Sequence, residues 1–199
     1  MSTPQQLIQQ KRQLRQQLRK KRRALSLRQQ QLAGRQLAKV INLSFTFLKA
    51  QHIALYLAND GEIDPQYILK KAVKAGKHCY LPVLIADGKL GFSRYKPGDI
   101  LTPNRFGIPE PKQRIWRPAK ALDLVLMPLV GFDRHGGRLG MGGGFYDKTF
   151  EWIKTQPILS APTLLGLAHS CQEVDRLELE SWDIPLSAVA TDKGFLSIK

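Results

Sequence analysis

Met127-Pro128-Leu129-Val130-Gly131-Phe132-Asp133-Arg134-His135-Gly136-Gly137-Arg138-Leu139-Gly140-Met141-Gly142-Gly143-Gly144-Phe145-Tyr146-Asp147 is the stretch whose reading decides the fold. It follows a mostly apolar run, Leu122 to Met127, of the length and composition of a buried strand. Six of the chain's 16 glycines fall between Gly136 and Gly144. Glycine admits backbone angles closed to other residues and lets main-chain N–H groups approach a ligand closely. Tyr146 to Lys154 reads as a helix opening directly from this loop, so that its N-terminus would favour anions. Arg138 puts a permanent cation in the loop, and Asp147 falls in the first turn of the helix. A strand, a bare-backbone loop with one cation, then a carboxylate suits phosphate and a divalent cation. Two plainer readings stay open: a flexible turn for the loop, and simple dipole compensation for Asp147.

Alternating elements extend in both directions. His52 to Leu57 and His78 to Val83 read as strands, the latter broken near Pro82, and Leu90 to Tyr95 as a third. Asp64-Pro65 gives a helix start and Gly76 its end. Thr163 to Ala168, Ser187 to Ala190 and Phe195 to Ile198 read as further strands. Residues 97–121 hold five prolines and little periodicity, and read as a long irregular connection. The pattern predicts one α/β domain over 1–199, with a mostly parallel open sheet flanked by helices.

The first 50 residues form a separate feature, a helical arm expected to pack on that body. Gln5 to Ala24 lacks Gly and Pro and is rich in helix formers. Ser26 caps a second helix running to about Ala50, interrupted at Gly34. Charge is concentrated here. Residues 1–59 hold 12 Lys and Arg and no acid, whereas 60–199 hold 19 against all 16 acids. With Lys11 at zero and roughly 100° per residue, Leu7, Leu14, Leu18 and Leu25 lie between about −20° and −60°. Arg22 and Arg15 fall at about 20° and 40° on the same wheel. Lys11, Arg15 and Arg22 therefore sit within or beside the apolar stripe, where unpaired burial is costly. Either an anionic ligand resolves that cost or the long stems snorkel to solvent. Arg12, Arg19, Lys20, Lys21 and Arg23 read as a solvated face.

The composition, 43% hydrophobic and 24% charged, is that of a globular protein. The polar, basic start is unlike a secretory signal, and no apolar run approaches the ~18 residues of a membrane span. Cys79 and Cys171 read as reduced thiols. A cytoplasmic protein is expected. Glu62, after the end of the His52–Leu57 strand, stands where ligand groups gather in open sheets; it could pair with the N–H edge of a heterocycle or be a surface acid. Asp183, in Ser181-Trp182-Asp183-Ile184-Pro185, is either a metal ligand or an ordinary cap. The four histidines show no zinc-like spacing, and no Ser–His–Asp set can be argued. Chemistry by positioning and electrostatics, as in phosphoryl transfer, remains.

Four segments together resemble the 5-formyltetrahydrofolate cyclo-ligase family, over nearly the whole length. They are Lys11-Arg12-Gln13-Leu14-Arg15, Glu62-Ile63-Asp64, Phe106-Gly107-Ile108-Pro109-Glu110-Pro111, and Gly131-Phe132-Asp133 through Tyr146-Asp147. The resemblance implies closure of 5-formyltetrahydrofolate to 5,10-methenyltetrahydrofolate with ATP and magnesium, releasing ADP and phosphate. It implies ATP contacts from Lys11, Arg15, Arg138, Leu139, Gly140, Met141, Gly142, Gly143, Gly144, Phe145 and Tyr146, with Arg138 and Tyr146 catalytic. Leu57 and Glu62 would contact the folate, and Asp147 and, more weakly, Asp183 would hold magnesium. One departure is visible: many members carry lysine where this chain has Gly143. A monomer that binds neither nucleic acid nor membrane is expected. The rival readings are a nucleic-acid-binding protein using the basic arm, and a small-molecule kinase sharing the phosphate loop.

Overall fold

Leu124–Pro128 is an inner strand of an eight-stranded sheet: Leu124 to Met127 are all buried, and Leu124 and Val125 pair with a parallel strand on each side. The computed structural model describes residues 4–155 and 161–198. It opens with α1 (Pro4–Arg23), α2 (Leu27–Asn42) and α3 (Phe45–Lys49), then β1 (His52–Ala54), α4 (Gln66–Lys74) and β2 (His78–Leu84). There follow β3 (Leu90–Arg94), β4 (Leu101–Pro103), β5 (Pro109–Pro111), β6 (Trp116–Arg117) and β7 (Leu124–Pro128). The chain ends with β8 (Gly131–Phe132), β9 (Arg138–Leu139), α5 (Phe145–Phe150), β10 (Thr163–Leu167), β11 (Ala188–Thr191) and β12 (Gly194–Ser197).

The sheet order is β12-β11-β10-β7-β1-β2-β3-β6. The five inner strands run parallel, and β12, β3 and β6 add antiparallel edges. The mostly parallel α/β sheet expected from the sequence is therefore present. One face packs on α2, α3 and α4 through Leu37, Ile41, Phe47 and Ile68. The other packs on α5 and the 3-10 turn after it through Phe92, Phe150 and Val189. Helix α1 lies apart from both, seated by Leu18 and Leu14 on Val130, Leu139 and Leu177. Gly131 permits this seat, because a Cβ there would stand 2.5 Å from a Leu18 methyl group.

Several local expectations need correction. Helix α2 runs straight through Gly34, where a Cβ would come 3.0 Å from the Asp64 carbonyl, so this glycine serves close packing. The break falls at Ser44, whose Oγ accepts the Phe47 N–H and caps α3. Pro82 does not break β2; β1 pairs only with His78, Cys79 and Tyr80, so the missing N–H lies beyond that ladder. Residues 97–121 are not an irregular connection. They build the β4–β5 hairpin and β6, held by the 5%-exposed Glu110, which accepts from Leu84 N and Asn104 Nδ2. The prolines fit because these are short edge elements.

The glycine run also departs from its expected form. Its first half turns a hairpin between β8 and β9, and only Gly140 to Gly144 lead into α5. Arg138 thus stands in β9, before the bare loop. Helix α5 has six residues and continues as a 3-10 turn, which is too short for a strong macrodipole.

Candidate functional site

The C-terminal ends of β1 and β7, where ligands gather in open sheets, are covered by two loops and the arm. Residues 140–144 form the first loop. Gly142 takes φ +99°, and a Cβ there would lie 3.7 Å from the Arg15 guanidinium carbon. Arg15 Nε donates to the Gly140 carbonyl at 2.8 Å, which closes α1 over the loop. Among the described residues its two terminal nitrogens make no hydrogen bond. Burial lowers the Arg15 pKa, and the charge of Asp183 only partly offsets this. A half-buried cation short of partners faces bare backbone.

Gly142, Gly143, Gly144, Asp147, Lys148 and Trp182 border a cleft of about 630 Å³, within the range of small-molecule sites. Gly143 has a further reason to lack a side chain: a Cβ would run into the Phe145 ring. Met141 is exposed at the loop tip. Leu139 is different, for its side chain is buried under α1 and its carbonyl accepts the Val130 N–H.

The charges around this cleft are mostly paired. Arg138 bonds the Asp147 carboxylate and the Ile184 carbonyl, and is buried with 7% of its side chain exposed. Asp147 Oδ1 also accepts the Ile184 N–H at 3.1 Å, whereas its Oδ2 has no hydrogen bond among the described residues. Lys11 pairs with Glu180 at 3.2 Å. Asp183 Oδ2 accepts the Glu180 N–H at 2.8 Å, a bond within the turn of residues 180–183. No group of three or more metal-type ligands occurs among the described residues. Magnesium in nucleotide sites commonly takes one or two carboxylates plus phosphate oxygens, so Asp147 with one free oxygen fits such an ion.

The second loop follows β1. Leu57 is half-buried beside the core, and Glu62 Oε2 accepts the Asn59 N–H at 3.1 Å. Burial raises the Glu62 pKa to about 7, against the pull of that hydrogen bond and of Arg22. Tyr146 approaches it from α5 and Tyr56 from the segment after β1. Burial raises both phenols, and the Glu62 charge adds to the shift. Glu62 and Tyr146, far apart in sequence, are therefore near enough for the carboxylate charge to act on the phenol.

The three arginines at the end of α1 behave unlike their sequence reading. Arg22 is fully buried, but no ligand is needed to balance it. Its NH2 reaches Asp60 Oδ2 at 2.7 Å, its Nε the Asp60 carbonyl at 2.9 Å, and its NH1 the Leu129 carbonyl at 3.1 Å. Arg19 and Arg23, expected on a solvated face, both bind the same carboxylate. Sequence reading missed Asp60; its only signal is the Asn59-Asp60-Gly61 turn triplet. Lys11, Arg15, Arg19, Arg22 and Arg23 all find partners on the body, whereas Arg12, Lys20 and Lys21 stay exposed on α1. No described helix is long and apolar enough to cross a membrane.

An α/β enzyme is what this sheet and its loop-and-arm site define, and the comparisons with known proteins specify which kind. Residues 7–192 match the model of the 5-formyltetrahydrofolate cyclo-ligase family. The chain is 45% identical over 175 residues to the 5-formyltetrahydrofolate cyclo-ligase of Escherichia coli K12, covering 84% of this chain and 92% of that one. It is 42% identical over 142 residues to the Haemophilus influenzae enzyme, covering 69% and 74%. The solved 5,10-methenyltetrahydrofolate synthetase of Aquifex aeolicus superposes with a TM-score of 0.80 at 28% identity, covering 95% of this chain and 93% of that one. The chain belongs to the 5-formyltetrahydrofolate cyclo-ligase family, and is thus a ligase.

Proposed function

We propose that the protein closes 5-formyltetrahydrofolate to 5,10-methenyltetrahydrofolate, coupled to cleavage of ATP to ADP and phosphate, as a cytoplasmic monomer. The formyl oxygen attacks the γ-phosphorus and ADP leaves. N10 then bonds to the activated formyl carbon and loses its proton to solvent. The carbon–oxygen bond to phosphate breaks last, leaving the methenyl bridge and free phosphate. No enzyme nucleophile is needed, in keeping with a site that holds charge and backbone donors instead.

The observation that carries this reading is the Arg15–Gly140 contact, which sets an under-partnered cation over a bare loop. Arg15 and the backbone from Gly140 to Tyr146 would bind the triphosphate. Lys11 would join them by turning from Glu180, and Leu139 would contribute only by holding the hairpin. Arg138 would act chiefly through Asp147, which it orients, with its remaining N–H groups toward the phosphates. Asp147 Oδ2 would hold magnesium, with Asp183 as the second candidate; when bound, that ion supplies positive charge at the phosphate oxygens. Leu57 and Glu62 would bind the folate, Glu62 by accepting from an N–H edge of the pterin. Tyr146, between Glu62 and the loop, would touch both substrates near the reacting atoms. The absence of a lysine at position 143 places more of the phosphate charge on Arg15.

The test is direct. Protein, Mg-ATP and 5-formyltetrahydrofolate should together give the near-UV absorption of the methenyl product, and omission of ATP should abolish it. No absorbance rise with all components present would overturn the proposal.

A further inference from the structure

Arg22 joins three segments with one guanidinium. It belongs to α1, the helix that carries Lys11 and Arg15. Through Nε and NH2 it holds Asp60, whose loop carries Glu62. Through NH1 it holds the Leu129 carbonyl, at the point where β7 passes into the glycine-bearing hairpin. That carbonyl also accepts Gln172 Nε2 at 2.7 Å, and Gln172 is fully buried, so the anchor is fixed. A planar fork can hold three such acceptors at set angles, which an ammonium cannot do.

Asp60 is the matching half of the joint. Its backbone is in the left-handed region, φ 54°, uncommon for a residue with a Cβ though less so for Asp, and the contacts around it restrain that conformation. Three arginines of consecutive α1 turns supply that restraint, and Asn59 Oδ1 accepts the Asp60 N–H at 2.8 Å. Glu62 Oε1 stands 3.8 Å from Arg22 NH2, just outside the hydrogen bonds that Asp60 receives. Movement of α1 therefore cannot leave the Glu62 loop unmoved.

We infer that the Arg22–Asp60 joint couples the two ligand sites, so that an anion seated under Arg15 tightens binding of a heterocycle at Glu62, and the reverse. This rests on the ATP and folate reading above. Asp60 and Arg22 are positioning residues, touching neither ligand. A phosphate group that draws α1 onto the glycine loop presses Arg22 on Asp60 and sets the Glu62 loop before the folate arrives. Such coupling is reciprocal by thermodynamic necessity.

The experiment is calorimetric titration with 5-formyltetrahydrofolate, with and without saturating magnesium β,γ-imido-ATP, at one pH. The wild-type protein should bind the folate at least about fivefold more tightly with the nucleotide present. Asp60→Asn keeps the side-chain shape and removes the charge, and should bring that ratio to within about twofold of unity. Arg22→Lys keeps the charge and loses the fork, and should do the same if Asp60→Asn fails to fold. Arg35→Gln removes an exposed cation of α2 that bonds Tyr67 Oη, away from the joint, and should keep the wild-type ratio. A wild-type ratio near one, or a full ratio in a folded Asp60→Asn or Arg22→Lys protein, overturns the coupling. Failure of the wild-type protein to bind either ligand alone would instead overturn the ATP and folate reading itself, and the coupling with it.

Discussion

Arg15 Nε donates to the main-chain carbonyl of Gly140 at 2.8 Å, across 125 positions of sequence. The contact fixes where the arm lies. Among the described residues it uses one of the guanidinium's five donors, which leaves four for oxygen acceptors of a ligand or water. A leucine-striped helix and a glycine loop become two walls of one site through this bond.

Arg15→Ala should therefore raise the KM for ATP on the order of tenfold to a hundredfold, as expected for losing a charged hydrogen-bonding group of about 1.5–3 kcal/mol. The melting temperature should change little, because Leu14 and Leu18 still seat α1. Initial rates over an ATP series measure this. An unchanged KM would return Arg15 to a side chain that merely snorkels to solvent.

Arg138 and Asp147 should behave as a pair in stability as well as in catalysis. Their side chains are 7% and 19% exposed, so removal of either leaves the other poorly solvated. Urea unfolding of Arg138→Ala, Asp147→Ala and the double variant should show an interaction of about 1–3 kcal/mol. Additivity within about 0.5 kcal/mol would mean that the two groups do not depend on each other.

Glu62 gives a signed pH effect. Its folded pKa, raised to about 7 by burial, exceeds the usual value of 4.5, so between those values the folded state binds more protons than the unfolded one. Stability should then fall as pH rises from about 4.5 to 7 and level off above. Glu62→Gln should remove this loss and be more stable than wild type, relative to pH 5, when both are compared at pH 8. Melting curves at the two pH values check it, and parallel wild-type and variant curves would contradict the assignment. Asp60 acts in the opposite sense: although burial opposes it, hydrogen bonds from Arg19, Arg23 and Arg22 hold its pKa well below the usual range. Its contribution is present near neutrality and lost only in acid.

Asp133 is the structural centre of the hairpin. Its buried carboxylate accepts N–H groups of His135, Gly137 and Leu177, each at 2.8 Å. Asp133→Ala should cost about 2–4 kcal/mol by stranding three donors. Chemical denaturation measures it, and a cost below about 1 kcal/mol would show that water replaces the carboxylate.

The parts of this fold legible in the sequence are those with local causes. The apolar run at Leu122–Met127, the cap at Ser26 and the leucine spacing of α1 each act through near neighbours, and each is where the pattern put it. The β4–β5 hairpin was not legible, because its support is the buried Glu110 reaching β2 and its prolines read as breakers. At the site, Arg15 and the glycine loop could be joined from helix periodicity. The Asp60 clamp could not, since Arg19 and Arg23 point away from the leucine stripe on any helical wheel. Only the return of residues 59–62 beneath the helix end gives those charges a partner. The pairing of Arg138 with Asp147 was hidden for a similar reason: the hairpin that turns Arg138 inward lies within a glycine run that reads as one loop.

The central claim is that this site activates a formyl oxygen by phosphorylation and then closes the ring. Parallel measurement of free phosphate and of methenyl absorbance in one reaction tests it most directly. The account predicts one phosphate released per methenyl bridge formed, in step, with no phosphorylated folate accumulating at the end. A stable phosphorylated product, or ring closure without phosphate release, would contradict it.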